Sequence, residues 1–189
     1  MLLTNQQKFL LDALERLGCV RDDQLAALVR PVFCLERPEI APRLVYSAMR
    51  QLKYCNTGFQ HEGDVYYMPK SGIDGEVLEA IDVMLELSGE MLIDFNRARP
   101  PVLLRFSVQE RKMRRFAVLA RFTDLIDTEF SPKERIILLF DGQEVLKSPP
   151  VSNKIFYAVR QKDGKHRYIA APETRSDFYA TKEDLTGRI

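Results

Sequence analysis

The sequence predicts an α+β protein in two parts: an N-terminal winged helix, then a small domain of one helix and a mostly antiparallel sheet. Three observations carry this. The first seventy residues read helix, short extended segment, helix, loop, helix, hairpin. A polar, glycine-bearing stretch, Lys70-Ser71-Gly72-Ile73-Asp74-Gly75, follows Pro69 and marks a boundary. Beyond it a single helical pattern gives way to runs of β-forming residues.

Thr4 and Gln7 have the spacing of a capping box, in which side chain and backbone satisfy each other at a helix start. Phe9, Leu10, Ala13, Leu14 and Leu17 then recur on one face, and Gly18 supplies a stop. Asp22 or Asp23 caps a second helix through about Val29, with Leu25, Leu28 and Val29 inward. Pro31 and Pro38 imply a long connection, and Pro42, which needs no amide donor, opens a third helix running to Tyr54.

At 100° per residue, Leu44, Val45, Ala48, Met49 and Leu52 gather on one side of that third helix. Arg43, Tyr46, Ser47, Arg50, Lys53 and Tyr54 gather on the other. Phe59 and Val65-Tyr66-Tyr67-Met68 read as strands bent at Glu62-Gly63-Asp64. Domain limits of 1–70 and 76–172 follow, with a polar tail over 173–189.

In the second part, residues 75–87 predict a helix with Val77, Leu78, Ile81, Met84 and Leu85 inward. Val102 to Val108 and Arg115 to Phe122 predict a hairpin turning at Gln109-Glu110-Arg111-Lys112. Strands are also expected at Arg135 to Phe140, Ile155 to Arg160 and Tyr168 to Ala171.

The 189 residues carry a net charge of only +1, which gives no global nucleic-acid signature. The distribution is uneven: residues 74–94 hold seven acids and no Lys or Arg, whereas residues 97–121 hold eight basic residues and the single acid Glu110. The apolar runs fall far short of the roughly 20 residues a membrane helix needs. Met1-Leu2-Leu3-Thr4-Asn5-Gln6 lacks a basic, apolar leader, so a cytoplasmic location is the default expectation. Cys19, Cys34 and Cys55 form no Cys-x-x-Cys pair, which points to free thiols and no metal or cofactor.

The basic face of the third helix is the first candidate site. In a winged helix it would enter the major groove, with Arg43, Ser47, Arg50 and Lys53 on base edges and phosphates, Tyr46 beside them, and Gln60 and His61 of the wing on the adjacent backbone. The competing reading is a solvated face, or one that docks a protein. Arg114 and Arg115 of the hairpin form a second candidate phosphate patch, against the alternative that they balance the acidic helix.

Glu110-Arg111-Lys112 spells the Glu-x-Lys of restriction-endonuclease-like nucleases, with Asp141 as the matching acid and magnesium as the metal. That spelling lies in a turn, and its acid follows where the nuclease acid precedes. A magnesium-dependent nuclease on the second domain is therefore the less favoured alternative to a non-enzymatic protein, with a degenerate nuclease-like core as one form that domain can take. His61 and His166 stand near no framed serine or cysteine nucleophile.

The succession Thr4 to Gly18, Asp22 to Val29, Pro42 to Tyr54 and the wing ending at Pro69 resembles a winged helix-turn-helix domain. With the α+β part behind it, the layout resembles the replication-relaxation-like proteins of bacterial plasmids and conjugative elements. That resemblance implies a non-enzymatic factor in transcription or in replication or transfer of a mobile element. Its expected partners are double-stranded DNA and a second copy of the chain, with the second domain as a protein-contact surface.

Overall fold

The computed structural model describes residues 2–55, 57–126, 128–140 and 153–171. The chain divides into two compact units, one of residues 1–90 with 95–97, the other of 91–94 with 98–189. Both helix and sheet are present, as the α+β expectation requires. The tail expected over 173–189 lies outside the described residues.

Unit 1 starts with helix α1, Asn5–Leu17. The Thr4 hydroxyl accepts the Gln7 amide at 3.2 Å, and the Gln7 side chain accepts the Thr4 amide at 2.9 Å, so the capping box is formed. Gly18 closes the helix at φ 80° with its amide on the Leu14 carbonyl. A side chain is excluded there, since a Cβ would lie 2.7 Å from Ser71 Oγ. Strand β1 (Cys19–Arg21), helix α2 (Asp22–Phe33) and helix α3 (Ala41–Tyr54) follow, then strands β2 (Gln60–Glu62) and β3 (Val65–Tyr67).

Helix α2 runs four residues beyond the predicted Val29. Pro31 sits in its last turn, where the lost donor removes one bond, and the Cys34 amide still reaches the Arg30 carbonyl at 3.1 Å. A 3-10 turn, Pro38–Ile40, leads straight into α3. The long connection expected between the second and third helices therefore shrinks to residues 34–37.

Strand β3 lies between β1 and β2, antiparallel to both, so β1 joins the hairpin as a three-stranded sheet. The hairpin turns on two residues, Gly63 and Asp64; Gly63 has φ 61°, the left-handed conformation that a tight turn of this kind demands at its first central position. The core is the shared interior of the helices: Leu10, Leu14, Leu17, Leu25, Val29, Val45, Met49 and Leu52 are all buried.

Helix α4, Gly75–Ser88, was expected to open the second domain, and the structure corrects this: α4 belongs to unit 1, against α2 and β1. The cause is polar. Gln24, 1% exposed on α2, donates from Nε2 to the Leu78 carbonyl and to Asp82 of α4, each at 2.7 Å, and its Oε1 accepts the Arg21 amide at 3.0 Å. Arg21 pairs with the same Asp82 carboxylate. Asp74 caps α4 through the Val77 amide and pairs with Arg97 at 2.7 Å.

Unit 2 is built on a six-stranded sheet in sequential order, complete but for the last three residues of its first strand, which count with unit 1: β4 (Leu92–Arg97), β5 (Val102–Gln109), β6 (Met113–Leu119), β7 (Arg135–Phe140), β8 (Ile155–Arg160) and β9 (His166–Ala170). β5 and β6 are antiparallel, as are β8 and β9, but β7 runs parallel to both its neighbours. The sheet is thus mixed, with a parallel centre. Strands β7 and β8 keep their predicted limits. β6 starts two residues earlier than expected and ends three earlier, where Phe122–Leu125 forms a 3-10 turn.

One face of the sheet is packed with Val102, Ala117, Leu119, Ile136, Leu138, Phe140, Ile155, Tyr157 and Val159, beneath Leu125. Leu104, Phe106, Phe116 and Val118, from the alternate positions, are buried as well. Among the described residues no α-helix belongs to this unit.

The Gln24 cluster gives a graded test. Gln24→Ala, which leaves the Leu78 carbonyl and the Arg21 amide without this partner and takes one of two bonds from Asp82, is expected to lower stability by about 2 kcal/mol in urea denaturation. Asp23→Ala, which removes the exposed partner of Arg21 and a bond to the Gln24 amide, is expected to cost less, under about 1 kcal/mol.

Candidate nucleic-acid interface

The amphipathic pattern of α3 is realised side chain by side chain. Ala41, Val45, Ala48, Met49 and Leu52 are buried, while Arg43, Tyr46, Ser47, Arg50, Lys53 and Tyr54 are exposed. The exposed set follows i, i+3, i+4, i+7 spacing, so it forms one stripe about 16 Å long at 1.5 Å per residue. Tyr46 is 63% and Tyr54 81% exposed, unusual for aromatic side chains with no burial to gain. Arg43, Arg50 and Lys53 form no ion pair among the described residues, and α3 has no acid in its first turn.

The base of the hairpin stands beside this stripe. Tyr66 is buried, with its hydroxyl on the Asp22 carboxylate and Tyr46 nearby. Burial first, then the negative Asp22, push its ionisation far above the ordinary tyrosine value. The His61 ring stacks on Tyr66 at 4.2 Å, directly across the strand pair, and Phe59 meets the same ring edge-on at 5.8 Å.

His61, expected as a wing contact to DNA, is thus exposed but braced against Tyr66. Gln60 is exposed on the edge strand, and Glu62 and Asp64 flank the tip with negative charge. The hairpin offers less to phosphates than its sequence position suggests.

Of the two hairpin arginines, Arg114 is engaged: its Nη1 and Nη2 donate to the two Glu110 oxygens at 2.9 and 2.7 Å. Arg115 is exposed. The same pairing bears on Glu110-Arg111-Lys112, which sits in the turn between β5 and β6 with both carboxylate oxygens on Arg114. Among the described residues no group of three acids, histidines or cysteines is placed to hold a metal. Asp141 lies outside the described residues.

None of the three cysteines is in a disulfide. Cys19 and Cys34 are buried, and burial raises the Cys19 thiol above its ordinary range, which makes it a poor nucleophile. No described helix is long and apolar enough to cross a membrane. The Tyr66, His61 and Phe59 cluster was not foreseen; its only sequence signal is aromatic density around a two-residue turn.

Comparison with protein-family descriptions, with characterised proteins and with solved structures finds no match to this chain. The chemistry of its own surface is therefore the ground for a functional reading.

Tyr66 gives a pH signature. Its folded-state ionisation lies above the ordinary value of 10.0, so its stabilising contribution is complete below that pH and fades as pH rises further. The urea midpoint should fall above that pH, and Tyr66→Phe, less stable at neutral pH, should lose less over the same alkaline range.

Proposed function

We propose that this chain is a DNA-binding protein, a regulator or accessory factor whose unit 1 is a winged-helix module reading duplex DNA with α3. The observation that carries the reading is the α3 stripe: three cations without ion partners among the described residues, two exposed tyrosines and a serine, aligned along one helix face. Such a stripe suits a groove about 12 Å wide, where Arg reads guanine edges and Ser or Tyr holds phosphate. The sequence of elements adds support, with β1 completing the hairpin sheet behind a short α2 to α3 connection.

In this reading Arg43 and Arg50, about two helical turns apart, supply most of the selectivity. Tyr46, Ser47 and Lys53 fix the register of the helix on the backbone. A single α3 spans few base pairs, so useful selectivity calls for two copies on paired half-sites. A role in transcription, or in replication or transfer of a mobile element, follows from the resemblance in layout.

The double substitution Arg43→Ala, Arg50→Ala should weaken duplex binding by about tenfold or more and flatten the preference among duplex sequences, while Lys53→Ala should lower the salt slope by about 1. Fluorescence anisotropy across a salt series and several duplexes measures each. Unchanged affinity with a flat slope would sink this reading and favour a protein-docking role for the same face.

A further inference from the structure

Charge in this chain is segregated. Residues 98–171 hold fifteen Lys and Arg against eight Asp and Glu, whereas residues 1–97 hold ten against fifteen. The positive excess is therefore a property of unit 2, not of the unit that carries α3.

Sheet topology concentrates it. Because β7 is parallel to both β6 and β8, all three strands begin at the same end of the sheet. The register sets Arg135 beside Phe116, and Ile136 beside Ile155, which brings Lys154 level with Arg135. Arg115 immediately precedes Phe116, Lys133 lies two residues before Arg135, and the β5 to β6 turn brings Arg111 and Lys112 to this end. Six cations from three distant segments thus gather at one end of the sheet: Lys133, Arg135 and Lys154 at the strand starts, about 10 Å across from β6 to β8 at ~4.8 Å per strand, Arg115 on the face opposite Arg135, and Arg111 and Lys112 in the turn beyond.

Three acids stand near this end: Glu129 is exposed, its carbonyl accepting Arg105 Nη2 at 3.3 Å, and the other two are engaged away from the cations. Glu110 is engaged by Arg114 through both oxygens. Glu134 is buried, held by Arg105 Nε at 3.1 Å and by the Ser131 amide at 3.0 Å. Arg111, Lys112, Arg115, Lys133 and Lys154 are exposed, and the half-buried Arg135 guanidinium lies 5.8 Å from the Phe116 ring centre. Lys133, Arg135 and Lys154 also line a hollow of about 460 Å³. Asn153 ties its walls together by donating to the Ser131 and Glu134 carbonyls at 3.2 and 2.8 Å.

Lys133 is held at φ 67°, the sole non-glycine residue in the left-handed region among those described. The turn that imposes this is closed by the Glu134 amide on the Ser131 carbonyl at 3.0 Å. The lysine therefore stands on a fixed turn beside the hollow.

We propose that this end of the sheet is a second nucleic-acid surface, a sequence-independent contact to the phosphate backbone made by Lys133, Arg135 and Lys154 with Arg111, Lys112 and Arg115. For its ligand class the proposal rests on the DNA-binding reading, but not on α3. A band about 10 Å wide faces roughly six charges of duplex DNA at one per ~1.7 Å. Protein interfaces, by contrast, are depleted in exposed Lys, which makes up three of the six cations here.

The test uses the full chain and fluorescence anisotropy over a salt series, with a random-sequence duplex as probe and poly-glutamate as competitor. Lys133→Gln with Lys154→Gln, both exposed and away from the core, is one variant; adding Arg135→Gln gives the second. Circular dichroism verifies folding of each. Loss of at least about tenfold in duplex affinity at low salt, with a slope reduced by up to ~2.7 in the triple variant, is the expected result.

Undiminished affinity and slope in both variants would overturn the proposal, and if Arg43→Ala, Arg50→Ala then lost binding, the α3 reading would survive alone. Loss in the sheet variants with none in the α3 variant would uphold this surface and remove the other. Binding to poly-glutamate in preference to duplex, or binding to neither, would overturn the proposal as well.

Discussion

The arrangement of unit 1 depends on one buried amide. Gln24 joins the start of α2 to the middle of α4, and it does so with both ends of its side chain, so neither helix can shift without breaking a bond in a site closed to water. An unmatched buried amide or carboxylate costs on the order of 1–3 kcal/mol, as much as burying a large apolar side chain yields. The aliphatic contacts of α4 would be satisfied by many apolar surfaces; the Gln24, Asp82 and Arg21 network is satisfied by one. It also anchors the start of α2, from which Asp22 reaches Tyr66 and steadies the hairpin beside α3.

The two candidate surfaces differ in character. The α3 stripe mixes Arg with Ser and Tyr on a regular helix, a set able to distinguish base edges. The sheet-end band is Lys and Arg alone on turns and strand starts, a set that attracts any phosphate chain and discriminates little. In the proposed reading they divide the labour, and the near-zero net charge of the chain is no guide to it, because an acidic segment and a basic one cancel in the total.

Much of the fold was legible in local pattern. The capping residue Thr4, the stripes of α1 and α3, and the β-branched run of β7 each point to a single local structure. What local pattern could not convey was partnership. The apolar face of α4 says that it buries, not against what, and the deciding pair, Gln24 and Asp82, is separated by 58 positions. β4 was missed because Leu92-Ile93-Asp94-Phe95-Asn96-Arg97 shows no clean alternation, being half-buried or exposed at every position except Phe95. The α3 stripe was readable because helical spacing is local. Lys133, Arg135 and Lys154 were not, since only the parallel pairing of β7 brings them to one edge.

That parallel pairing has a consequence for how the chain assembles. Strands β4, β5 and β6 follow one another through short turns and can pair as soon as they are made, whereas β7 must travel the full length of the sheet before it meets β6 side by side. Closing such a connection is slow, because chain entropy is lost before any ladder bond forms. During synthesis, unit 1 and the first hairpin of unit 2 emerge and settle while β6 still presents an apolar, unpaired edge. The segment from Leu125 to Arg135 therefore governs how long that edge stays open, and with it the chain's exposure to aggregation at birth.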